Sequence, residues 1–151
     1  MSVVIRAGRD DEGARLKEIA IAAKGFWGYE PRKVREWAEK GDFTPERLRE
    51  LAVFVAEDDG RAIGWCSLIP KGEVSWLEDL WIDPEWIGRG VGTLLFRSAA
   101  DEAARSGAQR LEWEAEPNAT GFYERMGGRY VRESGATEWG RTLAVMGIAL
   151  S

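Results

Sequence analysis

Apolar and polar positions change rhythm several times along this chain, and each change marks an element. Val3–Ala7 reads as a short strand. Leu16, Ile19, Ala20 and Ala23 then recur every three or four residues, the stripe of an amphipathic helix, with Asp10 or Asp11 as its cap and Gly25 as its stop. Pro31 suits the first turn of a second helix carrying Val34 and Trp37, and Thr44 caps a further short helical turn at Thr44-Pro45-Glu46. After residue 50 the period shortens. Leu51–Glu57 and Ala62–Leu68 are β-rich runs joined by Asp58-Asp59-Gly60, a hairpin signal, and Val74–Ile82 is a third consecutive strand.

The helical period returns over Thr93–Arg105, where Leu94, Leu95, Ala99 and Ala103 share a side and Ser106-Gly107 ends the run. Arg110–Ala115 alternates as a strand, Leu111 and Trp113 against Glu112 and Glu114. Asn118 caps a short helix to Met126 that Gly127-Gly128 stops, and Arg129–Gly135 with Leu143–Leu150 forms a terminal hairpin. The order β-α-α-β-β-β-α-β-α-β-β predicts a mixed-sheet α/β (α+β) domain over residues 1–151, without repeats or linkers. Its strands at 74–82 and 110–115, linked by a helix, are expected to be parallel neighbours.

One junction stands out. Leu80-Trp81-Ile82 runs through Asp83-Pro84 into Gly88-Arg89-Gly90-Val91-Gly92, and a helix follows at once. Glycines at a helix start let the backbone approach a ligand, and first-turn N–H groups have no intrahelical partner. With the helix dipole and Arg89 they make an anion site suited to phosphate or pyrophosphate. A P-loop would need a lysine after the glycines, and a dinucleotide fingerprint would need glycine or alanine where Thr93 stands. Apolar residues at 77, 80 and 82 break strict alternation just upstream, as a β-bulge would, which frees main-chain amides.

Composition narrows the chemistry further. The net charge of −5 gives no basic face for nucleic acid, and no apolar run nears the ~20 residues of a membrane span. A cytoplasmic protein is the resulting expectation. With no histidine and one cysteine, Cys66, which reads as a small buried residue, triads built on histidine and zinc sites are excluded, and no metal site is expected.

Together these features resemble the GNAT superfamily of acyl-CoA-dependent N-acetyltransferases. The family's pyrophosphate loop, Gln/Arg-x-x-Gly-x-Gly/Ala after an apolar-x-Pro strand end, is matched by Ile82-Asp83-Pro84 and then Ile87 to Gly92, with Ile87 in place of the usual Gln or Arg. Asn118, Phe122, Tyr123 and Gly127 match its later Asn-x-x-x-Phe-Tyr-x-x-x-Gly segment. The resemblance implies acetyl-CoA as donor, its pyrophosphate on the amides of residues 88–93 (Gly88, Arg89, Gly90, Val91, Gly92, Thr93) beside Ile87. The pantetheine arm would lie along Trp81 and Ile82, with Asn118 and Phe122 also contributing. It implies that the Tyr123 hydroxyl protonates the leaving thiolate.

Acetyl transfer also needs a neutral amine, although a free alkyl amine has a pKa near ~10.4. Glu78 or Asp79 could take its proton: Glu78 is the preferred base and Asp79 an acceptor contact. Phe26, Trp27 and Tyr29 lie in a glycine-hinged loop that shapes the acceptor pocket in this family, and Glu114 and Glu116 could add negative potential. The expected acceptor is a primary amine of a small molecule or peptide. A homodimer is common in such a family. A non-catalytic acyl-CoA sensor is the alternative, and a different nucleotide-binding protein a third reading.

Overall fold

A computed structural model describes residues 2–135 and 141–150. Seven strands form one sheet: β1 (Val3–Ala7), β2 (Ala52–Asp58), β3 (Arg61–Lys71), β4 (Val74–Ile82), β5 (Arg110–Ala115), β6 (Arg129–Glu133) and β7 (Ala144–Ala149). The helices are α1 (Gly13–Phe26), α2 (Pro31–Lys40), α3 (Pro45–Glu50), α4 (Val91–Arg105) and α5 (Thr120–Arg125). Strand order is β1-β2-β3-β4-β5-β7-β6, and among the described strands only the β4–β5 pairing is parallel. None of the described helices is long and apolar enough to cross a membrane.

Several boundaries differ from the sequence reading, each for a local reason. The N-cap position of helix α1 is Glu12 rather than Asp10 or Asp11, and no side chain caps it: the Glu12 carboxylate turns back to Arg6 (2.8 Å) and the Arg9 N–H (2.6 Å). It passes through Gly25 to Phe26, and Gly28 takes the left-handed turn at φ +85°. Asn118 does not cap α5: it sits in a 3₁₀ turn, Pro117–Ala119, that precedes the helix. Helix α4 begins at Val91, two residues before the expected start, since the left-handed Gly90 already closes the loop. Pro31 stands in the first turn of α2 and Thr44 caps α3, its hydroxyl accepting from Arg47 N–H at 3.3 Å. Asp59 and Gly60 turn the β2–β3 hairpin with φ of +50° and +80°.

Two cores sandwich the sheet. On one face Leu95, Phe96 and Ala99 of α4 and Tyr123 of α5 pack against Cys66, Leu77, Leu111 and Trp113. On the other, Leu16, Ile19 and Ala20 of α1 and Leu48 of α3 pack on Val53, Val55 and Trp65, with Trp37, Phe43 and Trp81 at the margin. Burying these apolar faces is what holds the helices to the sheet. Cys66 is fully buried, and its thiol is pushed up to about 12, chiefly by that burial. Glu112 does not point to solvent as its alternation suggests. It is buried between Arg110 (3.2 Å) and Arg132 (3.1 Å).

The functional geometry follows from the middle of the sheet. Ser67 pairs with Asp79, but the next β3 residue, Leu68, pairs with Leu77, so Glu78 is an inserted residue on β4. The bulge anticipated from residues 77, 80 and 82 is therefore present. β4 and β5 pair only over Val74–Trp76 and Arg110–Glu112. Beyond that register the two strands are no longer paired, and a cleft lies between them.

Candidate active site

The cleft, about 930 Å³, runs from the start of α4 past the bulge to the loop between α1 and α2. At the α4 end Gly88 and Gly90 hold φ of +82° and +84°, conformations that L side chains rarely adopt, and a Cβ on either would meet no protein atom within 4 Å. Backbone shape, not packing, is what demands glycine there. Gly90 O accepts the first helical bond, from Leu94 N–H at 3.2 Å, so the N–H groups of Val91, Gly92 and Thr93 have no intrahelical acceptor. Those three residues, with Ile87, Gly88 and Gly90, line the cleft. Such a cradle fits a diphosphate. Arg89 does not line it: its guanidinium stacks 4.8 Å from the Trp86 ring centroid.

The middle of the cleft is lined by Leu80, Trp81 and Ile82 on one strand and by Asn118, Phe122 and Tyr123 opposite. Tyr123 is buried at 7% exposure, its ring against those of Trp113 (4.9 Å), Phe122 (5.2 Å) and Phe96 (6.2 Å). Burial raises its phenol well above the ordinary tyrosine range, with nearby Cys66, Glu116 and Asp79 adding to the effect. A phenol so placed keeps its proton across the physiological range, so it stands in the cleft as a hydrogen-bond donor.

Glu78 and Asp79 lie on the bulge and line the cleft. Glu78 is exposed at the cleft, where partial desolvation by the surrounding walls raises its carboxyl and the Asp79 charge adds to the rise. Burial likewise raises Asp79, opposed by hydrogen bonds from Ser67 Oγ (2.6 Å) and Trp81 Nε1 (3.1 Å).

At the far end Trp27 and Tyr29 line the cleft, but Phe26 does not: it is 55% exposed and packs edge-on against Trp27 at 5.0 Å. The Tyr29 hydroxyl donates to Glu116 and accepts from Arg141 at 3.0 Å, and Arg141 also reaches Glu116 at 3.2 Å. Glu116 is thus tied to these partners, and both it and Glu114 line the cleft. Burial and the Glu116 hydrogen bond raise the Tyr29 phenol.

Sequence reasoning missed Lys24. Only 4% exposed, it lines the cleft with its ammonium over the rings of Trp37 (4.6 Å), Tyr29 (5.1 Å) and Trp81 (5.1 Å). These are cation–π distances, and desolvation strengthens them. A lone lysine near a helix end carries no signal of such an environment. Arg47, Arg141 and Trp37 were missed for the same reason, because α2, α3 and the segment before β7 meet only in the folded chain.

Comparison with known proteins gives this arrangement its relatives. An uncharacterized N-acetyltransferase of Methanocaldococcus jannaschii is 32% identical over 129 residues, 79% of this chain, which spans only 57% of that protein's length. Glucosamine 6-phosphate N-acetyltransferase 1 of Oryza sativa is 30% identical over 143 residues, covering 80% of this chain and 84% of the rice enzyme. The crystal structure of the PaiA N-acetyltransferase of Thermoplasma acidophilum with coenzyme A superposes with a TM-score of 0.83 over 99% of each chain at 18% identity, a likeness of fold. The acetyltransferase (GNAT) family pattern matches residues 15–128, which include the α4 loop, the bulged strand and Tyr123. On this evidence the chain belongs to the GNAT family of acetyltransferases.

Proposed function

We propose that the protein transfers the acetyl group of acetyl-CoA to a primary amine of a small molecule or peptide by direct attack. One observation carries this reading. A single cleft joins an amide cradle at α4, a bulged strand flanked by Tyr123, and an aromatic pocket on the opposite face of the sheet. Family membership and the CoA-bound fold neighbour support it. The rice relative, by its name, acts on an amino sugar phosphate, which fits a small amine as acceptor.

Acetyl-CoA supplies an activated thioester, and the residues of this chain do the rest. The N–H groups of Val91, Gly92 and Thr93, with the loop at Gly88 and Gly90, hold its diphosphate. Trp81, Ile82, Asn118 and Phe122 flank the pantetheine arm. A main-chain N–H on the splayed part of β4 near Trp81 donates to negative charge developing on the carbonyl oxygen. Glu78 accepts the amine proton and Tyr123 returns one to the departing sulfur. Trp27, Tyr29 and Trp37 wall the acceptor end. The test is thiol release from acetyl-CoA across a panel of primary amines: tight acetyl-CoA binding with no turnover of any amine would instead indicate an acyl-CoA sensor.

Glu78 gives this mechanism a pH signature. A base works only when deprotonated, and Glu78 is held above the usual carboxylate range. Turnover is therefore expected to fall on the acid side at a pH above that at which an exposed glutamate titrates. Glu78→Gln is expected to lower kcat/KM by roughly 10²- to 10⁴-fold and to remove that acid limb. An unchanged pH–rate profile in the variant would exclude Glu78 as the base.

A further inference from the structure

The bulge on β4 is tied in place by a carboxylate. Ser67 on β3, fully buried, faces Asp79 in the last register pair before the shift, and its Oγ donates to Asp79 Oδ2 at 2.6 Å. The other oxygen, Oδ1, accepts from Trp81 Nε1 at 3.1 Å, two residues along the same strand. One bond crosses to β3 and the other runs along β4 past Leu80, so the carboxylate braces the stretch next to the inserted Glu78, a stretch that pairs with β3 but not with β5. Trp81 in turn presents its ring to Trp37 (5.5 Å between centroids) and to the Lys24 ammonium (5.1 Å). Sequence reasoning makes Asp79 an acceptor contact, yet in the fold each of its oxygens accepts a hydrogen bond from a protein donor.

We propose that Asp79 is a positioning residue: through Ser67 and Trp81 it fixes the shape of the β4 bulge and the Trp81 ring, and it makes no direct contact with the acceptor amine. The inference rests on the acetyl-transfer reading above. The physical reason is that an inserted residue loosens its strand, and a bulge keeps one geometry only where other bonds determine it. A carboxylate that accepts two hydrogen bonds does this strongly, because charge-assisted bonds are about twice as strong as neutral ones. The bulge carries Glu78, and the backbone after it carries the N–H near Trp81, so a slack bulge misplaces both the base and the donor to the carbonyl oxygen.

Conservative and disruptive substitutions separate the roles. Asparagine can keep the clamp: its Oδ1 accepts from Trp81 Nε1, and its Nδ2 donates to Ser67 Oγ, whose hydroxyl can rotate to accept. Asp79→Asn is therefore expected to stay within about threefold of the parent kcat, whereas Asp79→Ala loses on the order of 10- to 100-fold in kcat with a nearly unchanged amine KM. Ser67→Ala should lower kcat in the same sense, and the Ser67→Ala/Asp79→Ala double variant should be no worse than Asp79→Ala alone. If Asp79 met the ammonium directly, Asn and Ala would both raise the amine KM, and Ser67→Ala would add independently. Either result overturns the proposal.

A second readout needs no turnover. Hydrogen exchange at the Trp81 indole N–H, assigned with Trp81→Phe, should be protected in the parent and in Asp79→Asn and at least tenfold faster in Asp79→Ala. An indole N–H that exchanges as fast in the parent as in Asp79→Ala refutes the clamp. If no amine is turned over by the parent while that protection is present, the acetyl-transfer reading fails and the clamp stands.

Discussion

Tyr123→Phe is expected to lower kcat by on the order of 10²- to 10⁴-fold while leaving the Kd for acetyl-CoA unchanged, the range that a positioned general acid contributes. The substitution removes one oxygen and keeps the ring, so the contacts with Trp113, Phe122 and Phe96 that shape this wall of the cleft survive. Among the described residues none donates to or accepts from the Tyr123 hydroxyl, so its removal leaves no protein partner unsatisfied, and thermal stability should change little. Burial holds the phenol in its protonated form, so no alkaline limb from Tyr123 is expected near neutral pH. Turnover measured by thiol release, with acetyl-CoA affinity measured by calorimetry, checks both halves. A phenylalanine variant that turns over at the parent rate would remove Tyr123 as the acid.

Gly90→Val is expected to weaken acetyl-CoA binding by at least about a hundredfold, with the fold retained. Gly90 holds φ +84°, a region that is strained for any β-branched residue by roughly 1–3 kcal/mol. Relief of that strain would reorient the loop and swing away the N–H groups at the α4 start. Losing one or two bonds to a charged ligand, each worth about 1.5–3 kcal/mol, accounts for the factor. No protein atom lies within 4 Å of the added Cβ, so the core under α4, built on Val91, Leu95 and Phe96, is untouched and circular dichroism should match the parent. Calorimetry with acetyl-CoA is the measurement, and affinity at the parent level would refute the α4 loop as the diphosphate site.

Parts of the site were legible in the chain because their chemistry is local. The glycines at 88 and 90 are demanded by backbone φ within a few residues, and the apolar break at 77, 80 and 82 records a bulge within one strand. The short helix bearing Phe122 and Tyr123 shows in its own spacing, and with the loop it suffices for family and fold. Exact helix starts were less legible: α1 begins after Glu12 and α5 after Ala119, both without a side-chain cap, so no capping residue marks them.

What tertiary structure alone decided is the end of the cleft away from α4. Lys24 from α1, Trp37 from α2 and Trp81 from β4 meet across gaps of 13 to 57 positions, and nothing in their local sequence marks a shared pocket. The same holds for Tyr29, Glu116 and Arg141, and for Asp79, whose carboxylate Ser67 and Trp81 draw into the protein. The sequence by itself determined the glycine loop before α4, the bulge on β4 and the short helix that carries Tyr123, since backbone conformation and periodicity act over neighbouring residues. Packing of two helical layers on a splayed sheet decided which side chains line the far end of the cleft, because burial and pairing are properties of residues brought together only by folding.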